Sequence, residues 1–211
     1  MKNKYYNKEY FNWQKNIGEF GGIANVFKFE KYINNSDNVI DFGCGGGFLL
    51  KNIKCKDKIG IEINSSARKI ATKNGIKTVS NIKEIKNGWA DVIISNHVLE
   101  HIDNPIQELE LLNKKINANG KVIFVVPFEI KGKYKKSDIN KHLYTWSPQN
   151  LANLFERAGY NVLDSKIIKN QWPPCYIFLY KIFGIKIFTL ISYIYGLLFG
   201  SIRQTIVVAT K

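Results

Sequence analysis

From Asp37 onward the chain alternates short apolar runs with polar, helix-compatible stretches. The apolar runs are Val39 to Phe42, Ile59 to Ile63, Lys77 to Val79, Ala90 to Ser95 and Lys121 to Val126. Between them, Phe48 to Ile53, Ser65 to Lys73 and Asn104 to Ile116 suit crossover helices. Ser65 or Ser66 offers an N-cap there, and Pro105 fits a first helical turn. The alternation predicts βαβ units and therefore a parallel sheet. Ser147 to Ala158 predicts a further helix, with Pro148 just after a capping serine and Gly159 at its stop. Tyr160 to Ile168 and Thr205 to Thr210 supply two more strands. Ahead of this series, an aromatic and polar segment leads into Asn25 to Ile33, whose apolar spacing is helical, so residues 1–36 read as an N-terminal helical cap.

Residues 171–201 break the rhythm, because they are strongly apolar and aromatic and lie between the last two predicted strands. They read as an insertion. Lys181 and Lys186 leave only roughly 14 uncharged residues, Ile187 to Gly200, against the about 20 that a membrane span needs. A transmembrane helix is therefore not expected. Three readings stay open: a buried packing element or lid, an interfacial element meeting a membrane or lipid-linked substrate, and a surface for oligomerisation.

The length of 211 residues supports one domain over 1–211 with a substantial core, and 45% hydrophobic with 23% charged residues excludes disorder and coiled coil. Cys44, Cys55 and Cys175 form no C-x-x-C pair, so neither a disulfide framework nor a zinc ribbon is expected. A reducing cytoplasm fits, and the basic N-terminus reaches no apolar signal-peptide core. The net charge of +14 favours anionic partners such as nucleic acid, phosphorylated metabolites or acidic lipid. Its lysines are spread along the whole chain without a dense arginine block, so charge alone assigns no partner.

The strongest local signal is Val39 to Gly47, VIDFGCGGG, an apolar strand entering a glycine-dense turn before Phe48-Leu49-Leu50. Glycines there permit positive φ and let backbone approach a ligand at the start of the next helix. The spacing is not the G-x-G-x-x-G of dinucleotide sites, and the Gly-Lys-Ser/Thr of phosphate loops is absent. Glu62 follows about twenty residues after Asp41, at the predicted end of the second strand, where a carboxylate can accept both hydroxyls of a ribose.

VIDFGCGGG, IGIEI (Ile59 to Ile63), ADVIISNHVLEHIDNP (Ala90 to Pro105), NGKVIFVVP (Asn119 to Pro127) and HLYTWSPQNLANLFERAGY (His142 to Tyr160) together resemble the class I S-adenosylmethionine-dependent methyltransferases. The likeness is to the branch with a Leu-Glu-His motif after strand four. The resemblance implies an α/β, doubly wound, mostly parallel seven-stranded Rossmann-like sheet with an antiparallel last strand and an apolar insertion before it. It implies S-adenosyl-L-methionine as cofactor, with the glycine turn at the methionine moiety, an acid at the ribose, and the loop after strand three at the adenine. Residues after strand four line the methyl-bearing side. These roles fall on Asp41, Gly43, Gly45, Glu62, Ile63, Asn81, Ile82, Asn96 and His97. Asn81 stands where relatives commonly carry an aspartate, but it retains a carbonyl acceptor.

An alcohol or phenol acceptor must lose its proton near the transition state, which suits histidine. His142, after strand five and the lysine-rich Lys131 to Lys141, is the expected general base; a purely structural strut for the loop before Trp146 is the alternative. His97, Glu100 and His101 would share one face if a helix began at Asn96, and such a face can hold a divalent metal. Hydrogen bonding that anchors the turn is the commoner use, and no metal is expected. Tyr5, Tyr6, Tyr10, Phe11 and Trp13, with the Gly18 to Gly22 turn, read as a lid or as packing.

Strand four ends in Ser95-Asn96-His97-Val98 and lacks the Asn/Asp-Pro-Pro-aromatic sequence that holds a flipped base, so nucleic acid is not the expected partner. Pro174-Cys175 lies too late in the chain to be a cytosine-C5 nucleophile. The expected acceptor is a glycan, sugar or lipid-linked small molecule of cell-envelope biosynthesis, methylated on oxygen, and the interfacial reading of 171–201 would add peripheral contact at the inner face of the membrane. A quinone-type phenol is the alternative acceptor, and a non-catalytic cofactor-binding module the alternative class.

Overall fold

The computed structural model describes residues 18–130, 133–138, 140–200 and 202–211. The aromatic segment Tyr5 to Trp13 lies outside these residues. Seven strands form one sheet in the order β3-β2-β1-β4-β5-β7-β6. They are β1 (Asn38–Phe42), β2 (Asp57–Ile61), β3 (Lys77–Val79), β4 (Ala90–Asn96), β5 (Ile116–Phe128), β6 (Asn161–Ile168) and β7 (Arg203–Thr210). β1 pairs in parallel with β2 and β4, and β2 with β3, whereas β6 and β7 are antiparallel. The helices are α1 (Phe48–Asn52), α2 (Ser65–Lys73), α3 (Pro105–Lys115), α4 (Pro148–Arg157) and α5 (Tyr176–Leu198). This is the α/β Rossmann-like arrangement expected. The described residues divide into two compact units, 18–94 with 114–121 and 95–113 with those from 122 to 211.

In the first unit, Val39, Ile40, Ile59 and Ile61 are buried with Val92 and Ile93, as continuous apolar runs require of parallel strands. Asn64, rather than either serine, caps α2, its side chain accepting the amide protons of Ser66 and Ala67. β2 stops at Ile61, two residues earlier than expected, so Glu62 belongs to the following turn. The N-terminal cap is also rearranged. Residues 18–24 are helical, but Asn25 to Ile33 resolves into two 3-10 turns, Val26–Lys28 and Glu30–Tyr32, instead of an α-helix. Gly22 explains its own place in that helix, because a Cβ there would meet the Phe48 carbonyl oxygen at 2.4 Å.

In the second unit, Val122 to Val126 of β5 are buried with Leu151 and Phe155 of α4 and Val207 of β7. Ser147 caps α4 by accepting the Asn150 amide proton, with Pro148 at its first position and Gly159 in the left-handed region after its end (φ 86). No helix begins at Asn96. β4 runs through that residue, His97 adopts φ 60, and a single 3-10 turn covers Leu99–His101 before α3 starts at Pro105. The apolar insertion forms α5, a 23-residue element whose backbone leaves helical geometry at Gly184 (φ 69, ψ 175). As one element its length and composition would suffice to cross a membrane, but the bend at Gly184 divides it, so its straight apolar part is no longer than the short run expected. The buried-packing reading fails: only 11% of its most apolar window is buried.

Candidate functional site

The first unit carries a cradle at the ends of β1 and β2. Asp41 is buried in β1, and the chain then turns through Gly43 (φ 76), Gly45 (φ 53) and Gly47 (φ 72) before α1. The amides of Gly43 and Cys44 both donate to the Ile61 carbonyl, which fastens the turn to β2. Glu62 closes it from the other side: its carboxylate accepts the Gly45 N–H at 2.9 Å and the Asn64 N–H at 2.7 Å. Arg68 donates to the carbonyls of Glu62 and Ile63 and brings a cation alongside. Gly60 is required for close approach, since a Cβ there would meet the Cys44 sulfur at 2.3 Å. By contrast, a Cβ on Gly45 would meet nothing within 4 Å, so space opens directly above the turn.

The electrostatics of the cradle are costly. Burial pushes the Asp41 carboxyl up to about 7, with the Glu62 charge adding to the shift. Burial also raises Glu62, opposed by the amides of Asn64 and Gly45 and by the Arg68 charge. Two acids held above their ordinary range at a strand rim suit a ligand that brings hydroxyl donors and positive charge. A nucleoside sulfonium has both, and each Glu62 oxygen keeps lone-pair capacity for a ribose hydroxyl.

The structure thus brings Asp41, Gly43, Gly45 and Glu62 together. Ile63, beside them, is 67% exposed at the rim. The Asn81 side-chain carbonyl oxygen accepts the Lys83 N–H in a capping box completed by Glu84 and keeps a second lone pair for a further donor. The Ile82 side chain is buried, so any contact it makes with a ligand falls to its backbone.

The second unit carries a histidine cluster around a buried acid. Asn96 ends β4, and the His97 amide donates to the Val125 carbonyl at 2.8 Å, which ties the turn to β5. Glu100 is fully buried, and one of its oxygens lies 3.6 Å from His97 Nδ1, 3.9 Å from His101 Nε2 and 4.0 Å from His142 Nε2. The backbone N–H of Leu143 donates to the Glu100 carbonyl at 2.9 Å, anchoring the chain that brings His142 in. His142 Nδ1 lies 3.1 Å from Glu129 Oε2, and its ring meets His101 edge-on at 4.8 Å. Burial pushes the Glu100 carboxyl up to about 8, its own amide opposing and the Glu129 charge adding. Burial lowers His101 to about 4, helped by His142, so its imidazole is neutral at pH 7.

This cluster differs from the one-face arrangement of His97, Glu100 and His101 expected from helical spacing. Glu100, His101 and His142 instead offer ligand atoms all within 4.8 Å of one another and could hold a divalent cation. Two imidazoles with one carboxylate suit a divalent first-row ion such as zinc or manganese. Glu129 was not among the expected residues. The available signal was its place just beyond the end of β5, corresponding to that of Glu62 just beyond β2.

A Rossmann-like seven-stranded sheet with a glycine turn and a rim acid beyond its first two strands is the arrangement of a class I S-adenosylmethionine-dependent methyltransferase. Residues 16–165 match the methyltransferase domain family, and the chain belongs to it. It is similar to a ubiquinone biosynthesis O-methyltransferase of Rickettsia bellii (strain OSU 85-389), 31% identical over 162 residues that cover 65% of this chain and 67% of that protein. Among solved structures it resembles a SAM-dependent methyltransferase from Archaeoglobus fulgidus, with TM-score 0.65, 19% identity and coverage of 96% of this chain and 99% of that one. It also resembles the phosphoethanolamine N-methyltransferase 2 of Haemonchus contortus in complex with S-adenosyl-L-methionine, with TM-score 0.60, 13% identity and coverage of 94% of this chain and 52% of that one. The protein is an enzyme that uses S-adenosyl-L-methionine as methyl donor.

Proposed function

We propose that this methyltransferase acts on the phenolic oxygen of a quinone-type precursor. The observation that carries the acceptor class is the likeness to ubiquinone biosynthesis O-methyltransferases, and it favours a phenol over the glycan or sugar acceptor expected from sequence. The cofactor supplies a sulfonium-activated methyl group for an in-line displacement. Asp41, Gly43, Gly45 and Glu62 bind it, with Ile63, Asn81, Ile82, Asn96 and His97 as the further residues that the resemblance assigns to it.

His142 is the residue we assign to the proton. A carboxylate at Nδ1 favours the tautomer whose Nδ1–H donates to Glu129, leaving the Nε2 lone pair to take the proton of the acceptor hydroxyl. Glu129 positions the ring and steadies the imidazolium that results, the arrangement of a base with its orienting acid. Glu100 and His101 hold the other side of the ring.

The test is incubation with S-adenosyl-L-methionine and a panel of catechol-type phenols and sugar acceptors, read by mass spectrometry for addition of one methyl group. Methylated phenol with unmodified sugars is the expected result. Methyl transfer to sugars alone would overturn the acceptor assignment.

A further inference from the structure

The most conspicuous surface feature outside the sites above is α5. Its inner side seats on the second unit through one stripe, Phe188, Ser192 and Gly196, spaced four residues apart and all buried. Gly196 permits this seat, because a Cβ there would meet the Gln171 amide nitrogen and the Lys169 carbonyl at 3.0 Å. The opposite side carries Ile187, Leu190, Ile194, Leu197 and Leu198, which helical geometry places within one stripe. Each of these is 46% to 69% exposed. Between residues 176 and 202, twelve large apolar side chains are exposed in this way. At about 100 Å² for half a large side chain, they present on the order of 1,000 Å², well above the few hundred that a soluble surface tolerates.

The charge along this stretch of the chain has one sign. Beyond Asp164 the sequence contains no acidic side chain, whereas it contains Lys166, Lys169, Lys181, Lys186, Arg203 and Lys211. Lys166 pairs with Asp164. Lys181 and Lys186 are exposed on either side of the bend at Gly184. The first turn of the helix also borders a cleft of about 410 Å³ lined by Cys175, Tyr176, Ile177, Phe178 and Lys181, apolar walls with an ammonium among them.

We propose that α5 docks the enzyme on an anionic lipid bilayer, its outward stripe entering the acyl boundary while Lys181 and Lys186 reach the phosphates. A second copy of the chain fits this surface less well, since a two-fold contact along α5 would oppose the same cations with no acid on the helix to pair them. A span also fits less well. The segment after the bend, 185–198, is about 21 Å long, short of the roughly 30 Å of the hydrocarbon core. α5 is apolar nearly all round, but with Phe188, Ser192 and Gly196 packed on the protein it offers a bilayer only its outward stripe, with lysines at the rim able to reach the headgroups.

The test is flotation of the full chain with phosphatidylcholine vesicles, with and without 30 mol% phosphatidylglycerol, and it requires neither acceptor nor turnover. The outcome is therefore independent of the acceptor assignment. Flotation is expected with the anionic vesicles, and the combined variant I187E, L190E and I194E should reduce the bound fraction at least tenfold while keeping its circular dichroism and cofactor binding. K181A with K186A should weaken the anionic preference by about fivefold per lysine. Absence of flotation, or unchanged flotation of the triple variant, would overturn the proposal. So would resistance to alkaline carbonate extraction, which marks a span, or a dimer in lipid-free solution that the triple variant abolishes with no vesicle binding, which marks a self-interface.

Discussion

Replacing Asp41 by asparagine tests whether the cradle really buries two acids at a free-energy cost. Burial and the Glu62 charge raise the Asp41 pKa from 3.8 to about 7 in the folded chain. The folded state therefore holds a proton between these values that the unfolded state has lost, so stability falls as pH rises from about 4 to about 7 and is level above. A shift of about three units at 1.36 kcal/mol each amounts to about 4 kcal/mol, fully present above pH 7. The amide introduced by D41N does not titrate. Glu62 titrates in both proteins, so the difference between them reports Asp41 together with its coupling to Glu62. We expect urea denaturation, followed by tryptophan fluorescence at pH 4.5, 6 and 8, to show D41N gaining on the parent steadily with pH, by a few kcal/mol over the range. The amide must also find partners, which shifts all points equally, and the slope is the measure. Parallel stability curves for the two proteins would refute the buried-acid account of this rim.

E62A should weaken binding of S-adenosylhomocysteine by about 1 to 3 kcal/mol through loss of charged hydrogen bonds, measured calorimetrically; unchanged affinity would remove Glu62 from the ribose. H142A should retain cofactor affinity and lose roughly 100-fold or more in turnover, with E129Q losing less and shifting the pH profile of kcat/KM; unaltered turnover in both would leave His142 as a strut. At pH 7.5, zinc or manganese should raise the melting temperature and suppress turnover by taking the His142 Nε2 lone pair, and a chelator should reverse both, with E100Q showing no thermal gain; an equal gain in E100Q would place the ion elsewhere.

The parts of the fold that local chemistry determines were legible in the chain. Ser65–Lys73 and Lys77–Val79 match the expected bounds because a polar helix between two glycine- or asparagine-marked turns leaves few alternatives. β5 was less legible: it begins at Ile116, five residues before the expected Lys121, across Asn117-Ala118-Asn119-Gly120. That composition signals a turn, yet the Asn117 side chain bonds Asp91 and the backbone continues as strand, a tertiary preference that local propensity does not contain. His97, Glu100 and His101 stand at i, i+3 and i+4 and would share one face if a helix began at Asn96, but His97 in the left-handed region prevents one. The acid-histidine cluster therefore assembles through Leu143, 43 residues along the chain from the Glu100 carbonyl that it bonds, and through Glu129, which no spacing rule connects to His142. In α5 the sequence showed apolar character but not which face would stay bare, because the stripe Phe188, Ser192 and Gly196 is chosen by a fit to Lys169 and Gln171.

Both sites obey one physical rule. Each places a carboxyl group just past the end of a buried strand and withdraws another from water beside it: Asp41 near Glu62 in the first unit, Glu100 near Glu129 in the second. A fold selected for stability alone would replace Asp41 and Glu100 with neutral side chains of the same size, since each acid is buried and held well above its ordinary range. Their presence is accounted for if a cation enters each site during the working cycle. A sulfonium cofactor brings positive charge to the first, and a protonated histidine or a bound metal ion brings it to the second, in each case converting an electrostatic cost of the free protein into binding energy. The glycines follow from the same requirement, because a charged ligand can collect backbone and carboxylate contacts at one rim only where the turn beside it, at Gly45, has no side chain in the way.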